Sequence, residues 1–267
     1  MVKLATVNVL FNLREWDARG ALLVAGLAPL NLDVLAVQEV NPERRTAHWL
    51  AERLGLPHVY YTQFREGVRV LGVRAYGIAL LSRTSFMNVG ELYLPGQGRA
   101  AQWGEIRTEG GPLTVCNGHY YWYPGASKER QMQFEALEQW LARERAGQPI
   151  VMVGDFNAEP QTPEMQGLFA RWESAHVLAQ GQEPAYTCPT PLAYRGWRQG
   201  LVVRAINLVA NRTMKPWQGT LDYVLVNQRV AVQDCRVILN APHPADATLF
   251  PSDHFGLYAE LAVRGDK

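Results

Sequence analysis

The stretch Ile150-Val151-Met152-Val153-Gly154-Asp155-Phe156-Asn157-Ala158-Glu159-Pro160 decides how this chain is read. It opens as an apolar run after Pro149 and breaks within one strand length into a carboxylate, a carboxamide and a proline. Ile150 to Val153 reads as a buried strand. Gly154 lets the backbone approach a neighbour closely, and Pro160 bars a continued central strand. Side chains two apart on extended chain share a face, so Asp155 and Asn157 are expected to project together. The plain alternative is an Asx turn, in which both bond their own backbone at the strand end. Four other stretches built on the same plan favour a shared polar site: Ala5 to Asn8, Val34 to Glu39, Leu113 to His119, and Leu221-Asp222-Tyr223 with Pro251-Ser252-Asp253-His254.

Outward from this strand, the pattern predicts strands over Leu4–Leu10, Asp33–Glu39, Val59–Phe64, Tyr76–Ser82, Met87–Leu94, Trp103–Thr108, Leu113–His119, Leu221–Val226, Val230–Leu239 and Phe255–Val263. Asp17 is expected to cap a helix through Leu27, which Gly20 and Gly26 weaken. Asn41-Pro42-Glu43 reads as the start of a helix running to Leu54 and stopping at Gly55. Further helices are expected from Ser127 to about Arg145 and near Glu164 to Trp172. Arg65, Arg69 and Arg74 fall on a hairpin arm, and a long irregular stretch precedes Leu221.

With 48% hydrophobic and 19% charged residues among 267, the composition is that of a soluble globular protein with ample core. The net charge of +1 gives no electrostatic case for extended nucleic acid or for a membrane surface. Cys116, Cys188 and Cys235 form neither a C-x-x-C pair nor a zinc spacing, which fits a reduced, cytoplasmic setting. No signal core precedes the first strand, no window reaches the length of a membrane span, and no protein partner is implied. No linker divides the chain. Because the polar strand ends run from Asn8 to His254, residues 1–267 are expected to form one domain, with a basic insertion at about 185–219.

Glu39 ends an apolar run where a solvated acid has no structural purpose, which points to a metal ligand; the alternative is a salt bridge to Arg44 or Arg45. Oxygen ligands without cysteine select magnesium, with manganese as substitute, over zinc. Asn117 and His119 share a strand face, while Pro251 and Ser252 make a loop in which Asp253 and His254 can both turn inward.

Taken together, Asn8, Gln38-Glu39, Tyr76 to Arg83, Asn117-Gly118-His119, Gly154-Asp155-Phe156-Asn157, Leu221-Asp222-Tyr223 and Ser252-Asp253-His254 resemble, in order, the motifs of the endonuclease/exonuclease/phosphatase superfamily over nearly the whole chain. The resemblance implies an α/β fold, a four-layered αββα sandwich in which two mixed β-sheets pack face to face with helices outside. It implies a Mg2+-dependent phosphoesterase hydrolysing phosphodiester bonds, with Glu39 as principal metal ligand and Asn8 and Asp253 beside it. Asp155 would orient or deprotonate the attacking water, and Asn157 would position the phosphate or that water. His254, paired with Asp222, would hydrogen-bond the phosphate, and His119 would do likewise or protonate the leaving oxygen. Abasic-site endonucleases of the superfamily carry tyrosine where this chain has His119, so the resemblance is to deoxyribonuclease-like, phosphodiesterase and sphingomyelinase-like branches.

Two further stretches bear on substrate. Tyr120-Tyr121-Trp122-Tyr123-Pro124-Gly125 follows His119 directly, and Tyr121 and Trp122, with Asn117, are expected to contact substrate; the alternative is that the aromatics pack the loop on its own scaffold. Residues 185–219 carry Arg195, Arg198, Arg204, Arg212 and Lys215 and no acid. Arg195, Trp197 and Arg198 are expected to face a phosphate and a flat group, whereas Leu201 to Val209 is apolar enough to form a hairpin that packs down. Nuclease and small-molecule or lipid-headgroup phosphodiesterase both fit. The competing reading from another class is a binding protein that keeps the fold without the chemistry.

Overall fold

The computed structural model describes residues 1–66, 75–195, 200–201, 204–205, 208 and 217–265. The first sheet has six strands in the order β11 (Val230–Ile238), β12 (Gly256–Val263), β1 (Val2–Asn8), β2 (Val34–Val40), β4 (Gly77–Ser82), β3 (His58–Gln63). The second also has six, in the order β5 (Asn88–Tyr93), β6 (Ala100–Thr108), β7 (Gly111–His119), β8 (Ile150–Asp155), β10 (Asp222–Val226), β9 (Glu173–Ser174). Each sheet is built on one parallel pair flanked by antiparallel strands: β1 with β2, crossed by α1 (Trp16–Leu27), and β7 with β8, crossed by α3 (Lys128–Glu144).

Side-chain alternation sorts these strands into three apolar layers. Leu4, Val34, Ala36 and Leu80 meet Val115, Val151, Val153 and Val224 between the sheets. Ala5, Val7, Leu35 and Val37, the opposite face of the first sheet, pack under Leu23 and Leu27 of α1 and Leu50 of α2 (Thr46–Leu54). Cys116, Met152 and Leu225 pack under Phe134 and Leu137 of α3 and Met165 and Leu168 of α4 (Pro163–Phe169). Burial on both faces is why the central strands read as continuous apolar runs. The result is the αββα sandwich of two mixed sheets.

The departures have local causes. Asn41 caps a turn and not the helix: its Oδ1 accepts from Arg44 N at 3.1 Å, Arg45 takes a left-handed φ of 48°, and α2 begins only at Thr46. The stop at Gly55 is where it was expected. In α1, Asp17 lies inside the first turn and Glu15 stands at the cap. Gly20, which weakens α1 on paper, lets α2 approach, since a Cβ there would stand 2.9 Å from the Trp49 ring. The stretch after α4 is less irregular than expected: it forms β9 and α5 (Ala175–Gln180), with the Ser174 hydroxyl accepting from Val177 N. Arg69 and Arg74 lie outside the described residues. Within 201–209 the described residues Leu201, Arg204, Ala205 and Leu208 are helical, not a hairpin. Among the described residues no helix is long and apolar enough to cross a membrane.

Candidate active site

The C-terminal ends of both parallel pairs lie at one edge of the sandwich, where the two crossovers leave the sheets and α/β proteins place their ligands. Strand register fixes the neighbours. Asn8 pairs with Gln38 across β1 and β2, and Asp155 is flanked by His119 on β7 and by Asp222 on β10.

Asp155 is the hub. It stands at the end of β8 after Gly154, whose φ of 131° and whose closeness to Gly118 O, 2.1 Å from any added Cβ, admit only glycine. One carboxylate oxygen, Oδ1, accepts from Asn157 N at 3.0 Å, so the Asx turn does form. The other, Oδ2, accepts from Asn8 Nδ2 at 3.0 Å and lies 3.5 Å from His119 Nε2 and 3.8 Å from His254 Nε2. The Asx turn thus forms at Asp155 alone, and the strand face that Asp155 and Asn157 were expected to share does not. Asn157 does not project as on a strand; a left-handed φ of 53° turns it so that Nδ2 donates to Tyr120 O at 3.2 Å. Burial, reinforced by Asp222 and opposed by His254, pushes the Asp155 carboxyl up to about 7.

Glu39 reaches the site through a bulge. Gln38 pairs with Ile78 and Val40 with Gly77, leaving Glu39 as the extra residue, at φ 60°. Regular alternation would have sent it into the layer under α1 and α2; the bulge aims it at the cleft instead. Its Oε2 accepts from Phe11 N at 3.0 Å and its Oε1 lies 3.9 Å from His119 Nε2. Burial and then the Asp253 carboxylate raise the Glu39 pKa, while the Phe11 N–H opposes them. Two nearby acids thus meet, with Arg19, Arg99 and His254 as the cationic groups around them. The Ser252 hydroxyl, donating to Asn8 O at 2.6 Å, locks the Asp253 loop onto the end of β1. Behind them Arg19, fully buried, donates to Val9 O at 3.0 Å, Arg14 O at 3.0 Å, Pro251 O at 3.4 Å and Asn12 O.

The histidines are held in opposite states. His254 Nδ1 stands 2.9 Å from Asp222 Oδ2, which also accepts from the Thr187 hydroxyl at 2.6 Å. Burial alone would depress this imidazole, but Cys188 and the Asp222 and Asp155 carboxylates hold it well above its usual range. His119 is depressed by burial, by the Arg99 guanidinium, whose Nη1 lies 3.0 Å from Nδ1, and by His254. These shifts favour a protonated His254 and a neutral His119. Asp155, Asp222 and His254 form a buried cluster whose ligand-type atoms lie within 4.8 Å of one another.

Arg99, Thr187 and Arg19 were not singled out by sequence reasoning. Arg99 sits alone in a Gly-rich turn and Thr187 in an irregular stretch, and neither carries a periodic signal.

Several substrate-contact expectations are corrected. Asn117 is fully buried; its Nδ2 donates to Val37 O at 3.2 Å and Ala79 O at 3.0 Å, and its Oδ1 accepts from Gln38 Nε2 at 2.8 Å. It clasps the two sheets together, with both its amide groups bonded to protein in the interior. Arg195 is engaged by protein acids: it pairs with Glu15 at 2.8 Å and Asp246 at 2.6 Å, so the charge of the insertion is met here within the chain. Trp197 and Arg198 lie outside the described residues. Tyr121 is half-buried at the rim and Trp122 is exposed.

An αββα sandwich with acids, amides and two histidines gathered at one end of both sheets defines a class of phosphoesterases. The sequence matches the Endonuclease/Exonuclease/phosphatase family over residues 5–254, and the chain belongs to that family, whose members are hydrolases acting on phosphoester bonds. No curated protein sequence matches the chain. Solved structures share the fold at low identity. The human Nocturnin catalytic domain with bound sulfate is 21% identical, with a TM-score of 0.72 over 98% of this chain and 93% of its own. The mannosyl-6-phosphatase of Bacteroides thetaiotaomicron is 16% identical, with a TM-score of 0.71 over 98% of this chain and 100% of its own. The D. rerio TDP2 complexed with single-strand DNA product is 18% identical, with a TM-score of 0.71 over 98% of this chain and 99% of its own.

Proposed function

We propose that residues 1–267 act as one catalytic unit that hydrolyses phosphodiester bonds with the help of a divalent cation, magnesium or manganese. The observation that carries this reading is the Asp155 carboxylate, held between Asn8, His119 and His254 with its pKa raised to about 7. A base of that strength is suited to take a proton from water near neutral pH. Protonated His254, steadied by Asp222, donates to a phosphate oxygen. His119, neutral beside Arg99, orients the phosphate and has no proton to spare for the leaving oxygen. Asn157 steadies the Asp155 turn and faces the same phosphate.

The donor set fits a hard cation. The Asp253 carboxylate raises the cost of ionising Glu39, and the Asn8 amide oxygen, which accepts from Leu10 N at 3.0 Å, keeps a second lone pair. When bound there, the cation supplies charge neutralisation for the phosphoryl oxygens. The Asp155, Asp222 and His254 cluster is the competing holder: Asp222 Oδ2 is engaged by Thr187 and His254 while its buried Oδ1 has no partner, but a protonated imidazole there would offer the cation no lone pair. The free thiols Cys116, Cys188 and Cys235 agree with a cytoplasmic setting.

The test is turnover of a panel of phosphodiesters and phosphomonoesters with magnesium, with manganese and with chelator. Diester cleavage that disappears in chelator is expected; full turnover in excess chelator would contradict the reading.

A further inference from the structure

We propose that Trp122 and Tyr123 form a stacking platform for a nucleobase attached to the phosphate at the Asp155 site, an inference that rests on the phosphoesterase reading above. The loop carrying them starts in the site itself. Tyr120 N donates to Asp155 O at 3.1 Å and Tyr120 O accepts from Asn157 Nδ2 at 3.2 Å. Trp122 is two residues further on, at most about 7 Å of chain away.

The loop has no regular structure, yet its backbone is pinned from both sides. Arg130, fully buried, donates to Tyr121 O at 3.0 Å, Tyr123 O at 2.9 Å and Gly125 O, and is neutralised by Glu164 at 2.6 Å. Gln133, also buried, accepts from Tyr121 N at 2.7 Å and donates to Pro95 O at 2.8 Å. Trp122 N donates to Gln97 Oε1 at 3.3 Å. Sinking a guanidinium and a carboxylate under a surface loop incurs desolvation that packing alone does not require. Tyr120 anchors the loop inward, its ring buried 5.0 Å from Phe134 and 4.9 Å from Phe156. Trp122 and Tyr123 point the other way, 44% and 48% exposed, with ring centroids 5.9 Å apart and tilted by 49°.

Rigid backbone with exposed rings is a surface that binds by stacking at little entropic cost. The Gln133 amide and the Arg130 guanidinium beneath it are already committed to the loop. A π-face is what remains, and every base has one. The chain's net charge of +1 argues against tracking a long polyanion, so the ligand is a single nucleotide unit and not a duplex.

The experiment is calorimetric binding of adenosine 5′-monophosphate and ribose 5-phosphate to the magnesium-loaded protein, in the parent, Trp122→Ala, Trp122→Phe and a Trp122→Ala/Tyr123→Ala variant. These side chains are exposed, so folding is not at stake. In the parent the base is expected to tighten binding by about 10-fold or more. The ratio should collapse to within about two-fold in the alanine variants and persist in Trp122→Phe. Equal binding of the two ligands by the parent, or a preference that survives both alanine variants, overturns the platform and leaves the phosphoesterase reading standing. Binding of neither phosphate also overturns the platform, and the phosphoesterase reading is then decided by diester turnover with and without chelator.

Discussion

The two parallel pairs at the heart of the molecule end in different chemistry. β1 and β2 deliver Asn8 and Glu39 to a cleft that keeps the Glu39 side chain 14% exposed, next to the Asp253 carboxylate. β7 and β8 deliver His119 and Asp155, each only 2% exposed and wrapped by hydrogen-bonding side chains. The backbone devices differ as well: a left-handed bulge turns Glu39 outward, whereas a glycine that touches the neighbouring strand sets Asp155 deep. The same supersecondary plan has thus been used twice. An open end accumulates acid for a cation, and a sealed end holds groups whose protonation is set by their neighbours. Each prediction below separates these two ends or blurs them.

The largest effect is expected at the sealed end. Asp155→Asn keeps the shape and removes the base, so turnover should fall by about 10²–10⁴-fold. Steady-state kinetics at saturating magnesium checks this, and a loss below five-fold would move the base elsewhere.

Next come Asp222→Asn and His254→Ala. Each should cost about 10²-fold, and the double variant should be little worse than either, because Asp222 acts through the ring it orients. Multiplicative losses would break the pairing.

The sealed end should also show in stability without metal. Asp155 keeps its proton up to about 7 in the fold, whereas an unfolded aspartate loses it near about 3.9. Between those values the native state binds the extra proton, so this residue's contribution to stability declines as pH rises and is flat above. In chelator, Asp155→Asn should therefore gain on the parent from about pH 4 to about pH 7 and melt higher at pH 8. Parallel melting curves across that range would contradict the burial of this charge.

The smallest effect lies outside both ends. Arg195→Ala removes half-exposed ion pairs to Glu15 and Asp246, so a loss of about 1 kcal/mol and a melting shift of roughly 2–4 °C are expected, with kcat and KM unchanged. A raised KM would return Arg195 to the substrate.

Much of this comparison was legible in the sequence, for physical reasons. A strand buried on both faces has to be apolar throughout, so a polar residue where the run breaks marks the strand's end, and Asn8, Glu39, His119 and Asp155 all stand at such breaks. What failed was any judgement that needed a partner from elsewhere in the chain. Asn117 follows the same alternation as His119 but meets carbonyls of the facing sheet, and nothing local distinguishes the two. Arg195 looked unpaired because Glu15 and Asp246 are far away in sequence. Arg99, which together with burial depresses His119, sits in a turn without periodicity, and the bulge at Glu39 leaves no composition signature. Asn41 was misjudged by a few residues because its side chain serves a turn and a helix start equally well.

The division between the two ends is tested most directly by titrating magnesium into the parent, Glu39→Gln and Asp155→Asn and following heat of binding alongside turnover. Glu39→Gln is expected to lose both magnesium binding and activity, while Asp155→Asn keeps magnesium affinity within a few-fold of the parent and loses only turnover. Loss of magnesium binding in Asp155→Asn as complete as in Glu39→Gln would place the cation at the sealed end and contradict the assignment.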